Sequence, residues 1–290
     1  MTLLQNKELE LLKIFLKIAD ELQLNYYLVC GSALGAVKYK GFIPWDDDID
    51  VALPRKDYEI FINNSRDLLP EWCFLQNYRT DRYFIKLGSK LRDTRTTYIE
   101  SMCGCLPINH GVFIDIFPLD GYYSDDRSQK MYNKIFKEFE GKRRVNLQYN
   151  RFSPTYILQI QTNFYYIMNK LFKMYDDTSK IISKYDKLVS SFPLEKSDLW
   201  CNYANSSSTN EYAPRSQYGE GAWAEFEGLK VRVPEKYDEY LTQKYGDWRA
   251  ELPKDQQVGH HFYEICDLNR PYTDYLESLP KGKVRIKNTK

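Results

Sequence analysis

The 290-residue chain carries 41 Lys and Arg against 40 Asp and Glu, a formal net charge of +1, which argues against a globally basic nucleic-acid binder. Its 43% hydrophobic and 28% charged residues fit a globular protein, with 16% aromatics a rich share, and the length suits one large domain or two modest ones. The N-terminal segment MTLLQNKELELLKIFLKIADELQ is too charged for a signal peptide, and no window is apolar enough to span a membrane.

Leu9, Leu12, Phe15, Leu16, Ala19 and Leu22 recur at helical intervals, so residues 5–22 read as an amphipathic helix. YYLVC (26–30) reads as a short buried strand ending at Gly31, and residues 33–40 as a short helix closed by Gly41. The chain returns through Pro44 and Trp45 into a strand at 49–53, stopped by Pro54, and 57–69 reads as a helix. WCFLQN, YFIKLGSKLR, TTYIES and GVFIDIF follow as strands between 72 and 117.

From Ser124 to about Phe192 the pattern is helical, interrupted near Ser153 and Pro154. EFEGLKVRVP (225–234) then reads as a hairpin and 234–245 as a helix ended by Gly246. These elements predict an α/β (α+β) fold: a mixed sheet flanked by helices in 1–124, a helical, aromatic insertion in 125–198, and a part in 199–290 that packs on the core. Without repeat or linker, the lobes should pack intimately.

Charge is uneven. Residues 127–187 hold thirteen Lys/Arg against five Asp/Glu, and the tail 281–290 adds five cations and no acid. Such stretches are either solvated faces or surfaces that meet anionic lipid. Six scattered cysteines without an export signal indicate reduced thiols in a cytoplasmic protein, with peripheral contact at the inner membrane face as the sharper reading of the basic stretches. Cys103 and Cys105 lack the second close pair of a zinc ribbon.

The stretch NYYLVCGSALGAVKYKGFIPWDDDIDVALPRKDYE (25–59) concentrates the chemistry. Alternation on a strand points Asp48 and Asp50 to one face while Ile49 and Val51 enter the core. Two carboxylates held side by side repel unless a cation neutralises them, and oxygen-only ligands suit Mg²⁺ or Mn²⁺. Asp46 and Asp47 read as a solvated approach. Upstream, Gly31 and Ser32 form a strand-to-helix turn suited to phosphate. Asp115, between Ile114 and Ile116, offers a third carboxylate that needs a partner. A calcium loop is excluded: its sixth position is Val51, Pro54 falls within it, and its twelfth is Asp57.

Gly31-Ser32 followed by Asp48-Ile49-Asp50-Val51 resembles the signature of the LicD family, relatives of fukutin and fukutin-related protein in the nucleotidyltransferase superfamily. KLGSKLRDTRTTYIE (86–100), GVFIDIFPLD (111–120), residues 226–253 and His260-His261 resemble family features in the same order, about half the chain together. The resemblance implies transfer of phosphocholine, or a related phospho-alcohol, from a CDP-activated donor such as CDP-choline to a hydroxyl of a cell-surface glycan, with release of CMP. Teichoic acid, lipopolysaccharide and capsule precursors, some lipid-linked, are the acceptors it brings in.

Under that reading Asp48 and Asp50 bind Mg²⁺, and Asp115 is a third ligand or the general base. Gly31 and Ser32 hold phosphate, and Lys90 or Arg92 offsets the donor's charge. Trp45 or one of the tyrosines stacks on cytosine or cages a quaternary ammonium. His260 and His261 serve either hydrogen bonding or substrate contact. Two rivals are a true nucleotidyltransferase that releases pyrophosphate and a non-catalytic glycan- or membrane-binding relative.

Overall fold

The computed structural model of the protein describes residues 1–84, 86–101, 103–104, 106, 108–122, 125, 130–131, 133–138, 178–204, 212–259 and 261–275. The basic tail, His260, Cys105 and most of the helical insertion expected at 125–198 lie outside the described residues. Among them no helix is long and apolar enough to cross a membrane.

The amphipathic N-terminal segment forms helix α1 (Leu3–Glu21), opened by a capping box in which Thr2 and Gln5 each bond the other's backbone N–H. Its apolar stripe, including Leu12, Phe15 and Ile18, is almost fully buried. Strand β1 (Tyr27–Leu28) leads into helix α2 (Cys30–Leu34), which widens into a π-type turn at Gly35–Tyr39. Strand β2 (Asp50–Pro54) runs straight into helix α3 (Arg55–Asn64), with Pro54 as its N-cap. Strands β3 (Cys73–Gln76), β4 (Ser89–Asp93) and β5 (Thr97–Glu100) precede the long β6 (Val112–Tyr122).

The central sheet runs β1-β2-β6-β4-β3. It is mixed: β2 and β6 are parallel, whereas β1–β2, β6–β4 and β4–β3 are antiparallel. This is the α/β fold with a mixed sheet and flanking helices expected from the sequence. Where YFIKLGSKLR suggested one strand, only its end pairs, because residues 77–84 close hydrogen-bonded turns. β6 is longer than expected and passes through Pro118; its distal half carries β7 (Leu199–Cys201), which carries β8 (Tyr212–Pro214).

A helix at Thr178–Val189 buries Ile182, Tyr185 and Val189 in a satellite apolar cluster with Leu87 and Tyr203. The expected hairpin is β9 (Ala222–Phe226) with β10 (Leu229–Val233), joined through Glu227 and Gly228, both at positive φ, as tight two-residue turns require. Glu227 also accepts the Phe42 amide N–H at 3.1 Å and donates its own to the Lys40 carbonyl, fixing the loop that leads to the aspartates. Helix Tyr237–Tyr245 follows, ended at Gly246, and β11 (Tyr263–Asp267) pairs with β5.

Candidate active site

Parallel pairing of β2 with β6 sets Asp50 directly beside Asp115, and antiparallel pairing of β4 sets Lys90 on the other side of Asp115. Asp48 lies just ahead of β2. One carboxylate oxygen from each of Asp48, Asp50 and Asp115 lies within 4.8 Å of the others. That spacing is close to what six-coordinate oxygen ligands at about 2.1 Å from a hard cation adopt, so the trio fits a divalent metal.

The electrostatics also ask for a cation. Burial pushes Asp48 above the usual carboxylate range; His261 draws it down, and Asp115 and Asp47 push it further up. Asp46 is pushed up to about 8, by burial first and then by Asp48 and Asp47. Two neighbouring carboxylates that resist ionisation in a structured cleft mark a site built for a charge it does not itself contain.

Gly31 and Ser32 meet this centre in different ways. The Ser32 hydroxyl is buried and accepts the Asp50 amide N–H at 2.8 Å, so it pins the start of β2. A Cβ at position 31 would lie 2.7 Å from Asp46 Oδ2, which explains the glycine: the carboxylate rests on its backbone. The neighbouring Cys30 holds φ at 51°, a left-handed conformation uncommon for a side-chain-bearing residue, and its N–H donates to the Tyr240 hydroxyl at 3.2 Å.

Lys90 and Arg92 sit on one face of β4, and both are fully buried. Lys90 Nζ lies 3.2 Å from Asp115 Oδ2, 3.4 Å from Glu100 Oε1 and over the Phe113 ring. Burial lowers its ammonium to about 8 against the pull of Asp115 and Glu100. Arg92 spends its donors inside the protein, on Gln76, on the Gly111 carbonyl at 2.6 Å and on Glu100 at 3.0 Å. Of the two cations read as alternatives, Lys90 is the one brought to the trio, while Arg92 positions Glu100 behind it.

Asp46 and Asp47 are not a solvated approach. Asp46 lines the wall of the cleft beside the trio, and its carbonyl accepts from Gln5 Nε2 at 2.9 Å. Asp47 accepts the His261 backbone N–H at 3.1 Å and lies 3.2 Å from its Nδ1, while Nε2 lies 3.7 Å from Asp48. A Cβ at Gly259 would lie 2.6 Å from Asp47, so the C-terminal segment is drawn tightly onto this loop. Burial lowers the His261 imidazole, but Asp47 and Asp48 outweigh it and the net shift is upward. Asp47, Asp48 and His261 also bring ligand atoms within 4.8 Å of one another.

Sequence reasoning missed Glu8. It is buried on α1 with Oε2 lacking a hydrogen-bond partner, and burial, then Asp48, Asp47 and Asp46, raise it well above its ordinary value. Its spacing from Leu12 and Phe15 was the available signal.

Beside the trio opens a cleft of about 310 Å³, lined by Gly31 and three of the aspartates and by the π-type turn and residues 245–252. A strand-to-helix glycine turn, paired acids on adjacent strands of a mixed sheet and a bordering cleft define a nucleotidyltransferase-type domain. Residues 23–164 match the family model described as LicD/FKTN/FKRP, nucleotidyltransferase domain. The chain belongs to the LicD family. It is 26% identical over 269 residues, 90% of its own length and 95% of the relative's, to the lipopolysaccharide cholinephosphotransferase LicD of Haemophilus influenzae.

Proposed function

We propose that this protein is a Mg²⁺-dependent phosphotransferase that moves phosphocholine from CDP-choline to a hydroxyl of a glycan, releasing CMP. The observation that carries the reading is the convergence of Asp48, Asp50 and Asp115 beside the cleft. Full-length similarity to a cholinephosphotransferase supports the transferred group and the glycan acceptor.

Asp48, Asp50 and Asp115 would hold the metal, which when bound neutralises charge on the donor's pyrophosphate. Mn²⁺ has the same ligand preference. Ser32 fixes Asp50, Lys90 carries positive charge to the buried side of Asp115, and Gly31 leaves its backbone open to phosphate at the cleft wall. The acceptor oxygen bonds to the β-phosphorus, and the bond from that phosphorus to the bridging oxygen breaks. CMP departs with the electron pair, and the hydroxyl proton passes to a carboxylate of the site or to water. Asp115 serves as third ligand or as that base.

Two incubations test this against a nucleotidyltransferase. CDP-choline with Mg²⁺ and a glycan acceptor should yield CMP, whereas CTP with phosphocholine should yield no pyrophosphate. Pyrophosphate from the second, with no CMP from the first, overturns the proposal. An acceptor on a lipid carrier, and docking of the basic segments on the inner membrane leaflet, belong to the same proposal. Vesicle co-sedimentation that survives neutralising those segments would remove the membrane contact.

A further inference from the structure

The sequence offers many rings for a quaternary ammonium; the fold gathers four of them. Tyr39, Trp45, Tyr245 and Trp248 line the cleft beside the trio, together with Asp46 and Asp247. Tyr39 and Trp45 come from the π-type turn and the loop after it, and meet edge to face with centroids 6.4 Å apart. The other two come from the end of the Tyr237–Tyr245 helix and the turn beyond it.

The four rings are not equivalent. Lys38 Nζ sits 5.3 Å from the Tyr39 centroid and the Arg249 guanidinium 4.2 Å from that of Trp248, so each of these two already holds a cation. Among the described residues, no protein cation sits over Trp45 or Tyr245. Tyr245 is 45% exposed. Lys38, the lysine on the cleft wall, is taken up by Glu251 at 3.1 Å and by the carbonyls of Trp248 and Ala250. The lining thus combines open aromatic faces with carboxylates.

We infer that this cleft is the seat of the donor's alcohol and selects a quaternary ammonium, with Trp45 and Tyr245 as its principal faces and Asp46 and Asp247 as its charge complement. A trimethylammonium has no N–H to satisfy, sheds water easily and is drawn to aromatic faces and diffuse negative charge. A primary ammonium loses more hydration, and a neutral polyol gains nothing from the carboxylates. At about 310 Å³ the cleft is at the lower end of small-ligand sites, enough for phosphocholine with its phosphate toward Gly31 and the trio.

The inference rests on the phosphotransferase reading, but its test does not require turnover. Phosphocholine, phosphoethanolamine, glycerol phosphate and CMP are each titrated into the full chain with MgCl₂, followed by calorimetry. Affinity should fall in the order phosphocholine, phosphoethanolamine, glycerol phosphate. Trp45→Leu and Tyr245→Leu should each weaken phosphocholine about tenfold and leave glycerol phosphate unchanged, while Trp45→Phe and Tyr245→Phe stay within about threefold of wild type. Retained Mg²⁺-induced thermal shifts show that the variants fold.

Equal affinity for phosphocholine and glycerol phosphate overturns the inference. So does a Trp45→Leu protein that loses CMP but keeps phosphocholine, which would give the cleft to the base. CMP release from CDP-choline with phosphocholine binding insensitive to both leucine variants removes the cleft and leaves the transferase. Ring-dependent phosphocholine binding without CMP release from CDP-choline does the reverse.

Discussion

Asp50 and Asp115 lie 65 positions apart in the chain and directly opposite each other on the parallel strands β2 and β6. Everything else at the site is arranged around that pair: Ser32 holds the first through its amide, Lys90 backs the second, and Asp48 closes the triangle. The arrangement concentrates like charge, and its consequences are measurable without any substrate.

The first concerns pH. Asp46, raised to about 8, and Asp48, also raised, hold protons in the folded chain that an unfolded aspartate releases near 3.9. The native state then binds more protons than the unfolded state between about pH 4 and 8, so metal-free stability should fall as pH rises through that window. Thermal melts at pH 5 and 8.5 should show a lower midpoint at 8.5, with 5–10 mM Mg²⁺ (a test concentration) raising the midpoint most at the higher pH. A flat profile unaffected by Mg²⁺ contradicts this.

Glu8 makes a separable contribution. Its raised value has the same sign, and Glu8→Gln removes an acid that burial and three aspartates discourage from ionising. We expect little change at pH 5 and a gain of about 1–3 kcal/mol at pH 8.5, the scale of relieving a buried unsatisfied group, read by urea unfolding.

Glu100 behaves in the opposite way. Burial pushes it up, but Lys86, Lys90 and Arg92 overcome that and hold it well below the usual range. Its stabilisation is full above the unfolded glutamate value near 4.3 and is lost only as pH falls through the depressed folded value. Glu100→Gln leaves buried Lys90 and Arg92 under-compensated and should cost about 3–5 kcal/mol at pH 7, with the loss disappearing toward strong acid.

Arg55 ties motif to motif. Its guanidinium grips Asp120 with Nε at 2.7 Å and Nη2 at 2.6 Å, and reaches Asp186 on the Thr178–Val189 helix with Nη1 at 2.9 Å. Lysine cannot reproduce that fork, so Arg55→Lys should cost about 1.5–3 kcal/mol and make the 178–189 helix easier to nick with protease. Unchanged denaturation and digestion patterns would count against this role.

The features legible in the sequence are those governed by local periodicity. Alternation placed Asp48 and Asp50 on one face, and an aspartate between isoleucines announced Asp115. What remained hidden depends on distant partners. Asp47 looked solvated because His261, which it holds, lies 214 residues away. Arg92 looked equivalent to Lys90 because both share a strand face; only the surrounding Gln76, Gly111 and Glu100 separate their tasks. β7, β8 and β11 are too short to show a period and exist because β6 and β5 offer edges to them. The segments suited to membrane contact lie mostly outside the described residues.

The most direct test of the central claim is CMP release from CDP-choline, with glycan acceptor present, measured across a Mg²⁺ titration for wild type, Asp50→Asn and Asp115→Asn. The account predicts metal-saturable release by wild type and a loss of at least about a hundredfold in both variants, with Mg²⁺ no longer raising their melting temperature. Release that persists in chelator, or that survives both substitutions, would contradict it.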